Sequence, residues 1–145
     1  MRQCQFRAGL ISNRTGELDF ALRAGMVSST DASLGGIQGM RRVRAIPPSE
    51  ILAALHPPYD LIKIDVEGSE ADFLETYSAV YSKTAAILME WHSPDKEGSR
   101  EGRFRKMLEA SGFHHVRDLR PRRILQLDTG WLSSGTQLYR RTRRE

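Results

Sequence analysis

The middle of the chain alternates short apolar strands with an amphipathic helix, and this order limits the possible folds more than any other feature. Residues 59–66, YDLIKIDV, are rich in β-branched residues and typical of a buried strand. Apolar side chains then recur at helical spacing up to residue 81, and residues 85–90, AAILME, predict a second buried strand. Strands joined by a helix of this length predict parallel βαβ units and therefore an α/β sheet.

The helix between the two strands has recognisable start signals. Ser69 is a suitable N-cap, and Asp72 three residues later completes a capping-box pattern. Glu70 in the first turn suits the positive end of the helix dipole. The pattern therefore predicts one continuous helix over residues 69–81.

The flanking regions predict smaller elements. Alternating apolar residues indicate two extended segments at 6–10 and 18–22, separated by a turn at 13–16. Glycine and serine predict a loop over residues 25–40. The remaining predicted elements are a strand at 43–46, a helix at 49–55, a helix at 100–111 and strands at 113–119 and 136–140. We expect the last two strands to form an antiparallel hairpin at the sheet edge, with turns at 128–130 and 133–135.

Composition excludes several classes of protein. The 145 residues suit one domain, which we place at 1–140 with a basic tail at 141–145. The single cysteine, Cys4, excludes an intrachain disulfide scaffold and a zinc site built on paired cysteines. No apolar run approaches the roughly 18 residues that span a bilayer. No apolar segment follows Arg2 and Arg7 as a signal peptide requires, so we expect a cytoplasmic protein.

The net charge of +4 comes from the C-terminal end of the chain. Residues 117–145 carry eight arginines against three acids, a net +5, and the remaining 116 residues carry −1. Such a segment is either a solvated sheet edge or a patch for phosphate groups. No aromatic side chains are interleaved among residues 140–144 as stacking platforms for bases. We therefore favour the solvated edge and expect no nucleic-acid partner.

Four polar side chains follow the two apolar strands and form the candidate site. Asp65 and Glu67 come at the end of the first strand, and Glu90 and His92 at the end of the second. Carboxyl ends of neighbouring parallel strands meet at one edge of a sheet, about 5 Å apart. A carboxylate and a histidine placed there can act as a general base or hold a hard divalent cation.

A purely structural interpretation of the same residues stays open. Asp65 can pair with Lys63, which lies two residues back on the same face of the strand. Glu67 and Glu70 can serve the helix N-terminus, and Glu90 and His92 can bond the backbone of a loop. Convergence of the four groups would favour a functional role, and we predict no resident metal.

The segment 59–70, YDLIKIDVEGSE, closely resembles the hallmark segment of FkbM-type methyltransferases, D-x-I-K-I-D-V-E-G-x-E. Residues 87–92, ILMEWH, resemble the same family's apolar strand that ends in E-x-H. The pair Ser33-Leu34 and the stretch 13–20, with its N-x-x-G-x-x-x-F spacing, are similar to upstream motifs of the family. The similarity is best over residues 59–92 and extends over about 5–140.

The resemblance implies a fold, a cofactor and an activity. It implies a Rossmann-like sheet, mostly parallel, whose last strand is inserted antiparallel. It implies transfer of a methyl group from S-adenosylmethionine to an oxygen, often a hydroxyl of a sugar or secondary metabolite. Asp65 would lie beside the methyl donor and the acceptor, with His92 as the base and Glu67 and Glu90 lining the acceptor side. Ser12 and Asn13 would contact the cofactor together with Asp65.

The sequence departs from the family at its start. The family's glycine-containing cofactor loop and its ribose-binding acid are missing, so the resemblance implies an N-terminally truncated domain. The strand over 59–66 would then have an open apolar edge, and we expect marginal stability or self-association through it. Two alternatives stay open, a non-catalytic α/β interaction module and a metal-dependent hydrolase using Asp65, Glu67, Glu90 and His92.

Overall fold

The computed structural model describes residues 6–23, 37–127 and 130–142, which contain six strands and four helices. In chain order these are β1 (Glu17–Arg23), β2 (Ile37–Arg44), α1 (Pro48–Ala54), β3 (Tyr59–Ile64), α2 (Glu70–Thr76), α3 (Ser78–Tyr81), β4 (Thr84–Ser93), α4 (Ser99–Ala110), β5 (Phe113–Leu127) and β6 (Gly130–Arg141). Cys4, Ser33-Leu34, most of the predicted 25–40 loop and Arg143 and Arg144 of the basic tail lie outside the described residues.

The main sheet has four strands in the order β3-β4-β6-β5. β3 and β4 are parallel, with Ile64 opposite Met89, as the βαβ pattern predicts. β6 lies between β4 and β5 and is antiparallel to both. Three strands thus point the same way, but only one of the three pairings is parallel. The protein is α/β with a mixed, open sheet. We expected mostly parallel strand pairs, and this is wrong, because the antiparallel β6 lies between β4 and β5.

The C-terminal hairpin is confirmed, but it is longer than predicted. β5 runs on to Leu127 and β6 begins at Gly130, so the predicted turn at residues 133–135 is wrong. Ser133 and Gly135 are instead buried strand residues, paired with Ser93 and Trp91 of β4. Pairing with a strand on each side overrides the weak strand propensity of this serine- and glycine-rich stretch. β6 is therefore an inner strand, and β5 forms the sheet edge.

A separate antiparallel pair, β1 and β2, precedes the main sheet. Residues 37–40 belong to β2, so the predicted loop ends earlier than expected. The predicted strand at 6–10 is wrong for the described residues, because Leu10 makes only one isolated parallel bridge, to Ala45. The turn over residues 13–16 is present and leads into β1.

The helix predicted over residues 69–81 is broken in two at Tyr77. Tyr77 ends α2 with φ −100° and ψ 24°, and its hydroxyl donates a 2.5 Å hydrogen bond to the Ile46 carbonyl. Its neighbours Thr76 and Ser78 are weak helix formers. The predicted capping box is also wrong, because the Ser69 side chain makes no capping hydrogen bond.

One face of the main sheet carries the hydrophobic core, which α2, α3 and α4 cover. Ile64, Ile87, Met89 and Trp91 of the sheet pack with helix residues that are equally buried. These helix residues are Phe73, Leu74, Val80, Tyr81, Phe104 and Leu108. The free edge of β3 pairs with no other strand in the part of the chain that the structure describes, and Leu61 on β3 is 52% exposed. No helix among the described residues is long and apolar enough to cross a bilayer.

Candidate functional site

The polar residues after β3 and near the end of β4 lie together, as their strand positions predict. Asp65 follows β3 directly, and the register of Ile64 with Met89 brings it beside Glu90. Asp65, Glu90 and His92 each have a ligand-type atom within 4.8 Å of the other two. Glu90 and His92 are not loop residues, because β4 continues to Ser93 and both pair with β6. They are therefore held by sheet hydrogen bonds.

His92 is the centre of this group. Its side chain is buried, with 7% of the residue exposed. The ring nitrogen Nδ1 lies 2.7 Å from Oε1 of Glu70, and Nε2 lies 3.5 Å from Oε2 of Glu67. The second distance exceeds that of a strong hydrogen bond. The ring is thus fixed on one side and weakly engaged on the other.

Glu70 belongs to the site, although its sequence position indicates only a role at a helix N-terminus. The residue is completely buried, and its Oε1 also accepts a 3.1 Å hydrogen bond from the backbone N–H of Gly68. Its second oxygen, Oε2, is buried and has no hydrogen-bond partner among the described residues. Burial of a carboxylate with one oxygen unpaired is costly, so the His92 contact has to offset that cost.

A tight turn between β3 and α2 places these acids. Ser69 N–H donates to the Val66 carbonyl at 3.2 Å, and the two residues inside the turn have positive φ. Glu67 has φ +49° and Gly68 has φ +98°. A glutamate in the left-handed region is uncommon and costs free energy, and such residues cluster at functional sites. The turn directs Glu67 to one ring nitrogen of His92 and Glu70 to the other.

The electrostatics of the group favour protonated forms of two residues. Burial by itself would lower the pKa of His92, but the hydrogen bond to Glu70 and the charges of Glu70, Glu67 and Glu90 outweigh it and raise that pKa. Burial raises the pKa of Glu67, and the neighbouring charge of His92 opposes this rise. His92 and Glu67 therefore each release a proton at a higher pH than the same group does in water.

Two cations face the outer carboxylates. Lys63 Nζ bonds Oδ2 of Asp65, which confirms the pairing that the strand periodicity allows. Arg120 Nη1 lies 3.6 Å from Oε1 of Glu90. The Arg120 contact was beyond sequence reasoning, because the strand that carries it was predicted to end at residue 119. Both carboxylates are partly exposed, so these ion pairs stabilise the fold only modestly.

Ser12 and Asn13, the other predicted cofactor residues, lie in a different place. They line a cavity of about 320 Å³ together with Tyr77, and Asp65 is not among its described lining residues. Ser12 N–H faces the Tyr77 hydroxyl at 3.4 Å, and Ser12 Oγ accepts a 3.0 Å hydrogen bond from Arg14 N–H. Among the described residues, Ser12 and Asn13 therefore do not line the same cavity as Asp65.

The arrangement offers one imidazole and four carboxylates, and three of these carboxylates, Asp65, Glu67 and Glu90, are partly exposed to solvent. Such a group can take a proton from a bound hydroxyl or hold a divalent cation. Comparison of the chain with models of known protein families, with curated proteins and with solved structures gave no match.

Proposed function

We propose that the chain forms the acceptor-side part of a Rossmann-like, FkbM-type O-methyltransferase that uses S-adenosylmethionine. The observation that carries the proposal is the cluster of Asp65, Glu67, Glu90 and His92 at the ends of two adjacent parallel strands. All four lie on the segments whose sequence resembles that family. The acceptor is a hydroxyl group of a small molecule such as a sugar or a secondary metabolite.

The strand order supports the same proposal. The resemblance implies a last strand inserted antiparallel in the sheet, and β6 lies antiparallel between β4 and β5. In open α/β sheets, ligands bind outside the carboxyl ends of the parallel strands. That is the end of β3 and β4 at which the cluster lies.

In this function the cluster binds and deprotonates the acceptor. S-adenosylmethionine supplies an electrophilic methyl group, so a poor nucleophile such as a hydroxyl has to be aligned and lose its proton. His92 Nε2 is the ring nitrogen that Glu70 does not hold, and it accepts that proton. Glu67 and Glu90 accept hydrogen bonds from neighbouring hydroxyls of the acceptor.

The described residues do not fit the whole cofactor. Ser12 and Asn13 line a cavity that does not have Asp65 among its described lining residues. In the described part of the chain, no glycine-rich turn follows a strand at the cluster as a dinucleotide-type loop would. The proposal therefore assigns the acceptor side to this chain and derives no step through the cofactor.

Thermal unfolding with and without about 1 mM S-adenosylhomocysteine tests the proposal. A ligand at 100-fold excess over its Kd stabilises the native state by about 2.7 kcal/mol, which shifts the midpoint on the order of 5–10 °C here. We expect a positive shift below this size, because the described residues supply only part of a cofactor site, and we expect Asp65→Asn to reduce it further. Lys63→Gln is the matched control, since it changes the charge beside Asp65 without removing the carboxylate. A cooperative transition that S-adenosylhomocysteine leaves unchanged would contradict the proposal.

A metal-dependent hydrolase is the second candidate, favoured by the 4.8 Å grouping of Asp65, Glu90 and His92. One imidazole and two carboxylates suit a divalent cation, which activates a water molecule for attack. Lys63 pairs with Asp65 and Arg120 with Glu90, and a bound cation would have to displace both side chains. Millimolar Mn²⁺ that raises the unfolding midpoint, with the effect lost in His92→Gln, would favour this candidate. An unchanged midpoint would count against it.

A further inference from the structure

The fully buried Glu70 has no role in the methyl-transfer chemistry described above. A carboxylate at the first position of a helix usually lies at the surface, where it interacts with the helix dipole. Glu70 is instead 0% exposed, and its closest side-chain partner is the imidazole of His92. Its only other hydrogen bond from a described residue comes from Gly68, two residues earlier. A carboxylate buried this completely requires a partner that offsets its desolvation, and His92 is the side chain that contacts it.

We propose that Glu70 is the positioning residue of His92, holding the proton on Nδ1 and presenting Nε2 to the acceptor hydroxyl. The inference rests on the proposed function for its chemical consequence, and on geometry alone for the orientation of the ring. Glu70 touches neither acceptor nor reacting atoms, so its effect on the chemistry passes entirely through His92.

The tautomer follows from the hydrogen-bonding capacity of the two groups. An ionised carboxylate only accepts hydrogen bonds, so the ring nitrogen 2.7 Å from Glu70 has to be the donor. In neutral His92 the single ring proton is then on Nδ1, and Nε2 keeps its lone pair. A carboxylate behind a histidine also fixes the ring orientation and raises its basicity, as in the acid–histidine pairs of hydrolases.

The orphaned oxygen of Glu70 strengthens this coupling. Oε1 receives both available donors, His92 Nδ1–H and Gly68 N–H, and Oε2 receives none from the described residues. A carboxylate with so few donors is stabilised mainly by a positive partner. When His92 takes a second proton, the imidazolium supplies that charge 2.7 Å from Oε1 of Glu70.

The other groups that face His92 act in the same direction. Glu67 of the turn lies 3.5 Å from Nε2, and Asp65 and Glu90 each have a carboxylate oxygen within 4.8 Å of a ring nitrogen of His92. Lys63 and Arg120 pair with Asp65 and Glu90 and partly offset these negative charges. The raised pKa of His92 agrees with this excess of negative charge. The proton balance is simple. The O–H bond of the acceptor breaks, its electron pair stays on oxygen, and the proton forms an N–H bond at Nε2.

Nitrogen-15 NMR of the His92 ring in the free protein tests the inference. We expect the Nδ1–H tautomer in the neutral ring and a pKa above the ordinary value of about 6.5. In Glu70→Gln the amide keeps the shape but not the charge, and we expect the pKa to fall by one unit or more and the tautomers to mix. Glu70→Asp keeps the charge on a shorter chain, and we expect partial recovery of both signals.

Asp95→Asn is the matched control, because Asp95 also follows a strand but hydrogen-bonds Ser93, Gly98 and Ser99 rather than His92. It is expected to leave the His92 titration unchanged. An Nε2–H tautomer in the unsubstituted protein would overturn the inference, and this reading needs no variant. So would an unchanged His92 pKa in Glu70→Gln. Neither measurement uses cofactor or acceptor, so their outcome is separate from that of the S-adenosylhomocysteine experiment.

Discussion

Two carboxylates in this protein follow neighbouring parallel strands, and they are satisfied in opposite ways. Asp95, in the loop after β4, accepts from four donors. Its Oδ1 bonds Gly98 N–H at 2.6 Å and Ser99 N–H at 3.1 Å, and its Oδ2 bonds the hydroxyls of Ser93 and Ser99. The serine and backbone donors lower the pKa of Asp95 to about 2. Every donor in this loop is a group that does not titrate near neutral pH.

Glu70, after β3, has two donors on one oxygen and none on the other among the described residues. One of its donors is the imidazole of His92, which does titrate near neutral pH. The difference shows how one chemical group serves two purposes. Saturated by fixed donors, a carboxylate organises a loop and a helix start. Coupled to an imidazole and left with one oxygen unpaired among the described residues, it influences the protonation of a neighbour that faces partly exposed acids.

The largest expected effect tests the buried pair directly. His92→Leu leaves Glu70 completely buried without the imidazole that bonds it, and removal of one member of a buried pair of this kind costs about 3–5 kcal/mol. The free energy of unfolding from urea titration measures this cost. The double variant Glu70→Leu, His92→Leu is expected to recover much of it, because two apolar side chains leave no unpaired charge. Equal costs for the single and double variants would refute the coupling.

The glycines of the two turns provide the next contrast. Gly98 has φ +69°, and a Cβ added there would lie 3.2 Å from the Trp91 ring. Gly68 has φ +98°, and a Cβ added there would meet nothing within 4 Å. We expect Gly68→Ala to cost about 1–2 kcal/mol from backbone conformation alone, and Gly98→Ala about 1 kcal/mol more from the added contact. Thermal unfolding of both variants shows which one is more destabilised. A smaller destabilisation by Gly98→Ala than by Gly68→Ala would contradict the close contact with Trp91.

The smallest expected effect separates the two carboxylates by pH. The pKa of Asp95 is lowered in the fold, so its contribution is present above pH 3.8 and is lost as the pH falls towards about 2. The pKa of His92 is raised, so its contribution is present below its unfolded value of about 6.5 and is lost as the pH rises through the folded pKa.

Urea unfolding at a series of pH values resolves these two limbs. Asp95→Asn is expected to flatten only the acid limb, by about 1 kcal/mol once solvent screening is allowed for. Glu70→Gln is expected to flatten only the limb above pH 6. If one variant removed the pH dependence of stability in both the acid range and the range above pH 6, the Asp95 loop and the Glu70–His92 pair would not be independent.

The local sequence pattern was enough to predict that β3 and β4 are parallel and that the polar residues at their ends lie close together. β-Branched residues in 59–66 and the apolar run in 85–90 predict adjacent strands, and parallel strands necessarily bring Asp65 and Glu90 to one edge. Glu70 was assigned to the helix dipole instead, because a first-turn acid is normally at the surface. The sequence does not show whether this acid is exposed or buried. Glu70 is buried where the chain turns after β3, and that turn contains Glu67 and Gly68 with positive φ.

The elements that were wrong depend on contacts distant in sequence. The helix break at Tyr77 coincides with a hydrogen bond to Ile46, 31 residues away, which no local periodicity encodes. β5 and β6 extend beyond their apolar residues because each is paired along its length. Arg120 reaches Glu90 only through that extension. Propensity is a weak prior wherever tertiary pairing decides the conformation.

The insertion of β6 has a consequence for the order of assembly. β4 and β5 have no ladder with each other, and β6 joins them by pairing Ile87 with Tyr139 and Phe113 with Arg141. A nascent chain can form the β3–β4 unit early, but the sheet cannot close over Trp91 until residues 130–141 have left the ribosome. Folding should therefore be rate-limited by a long loop closure, and truncation within β6 should abolish cooperative folding rather than shorten one strand.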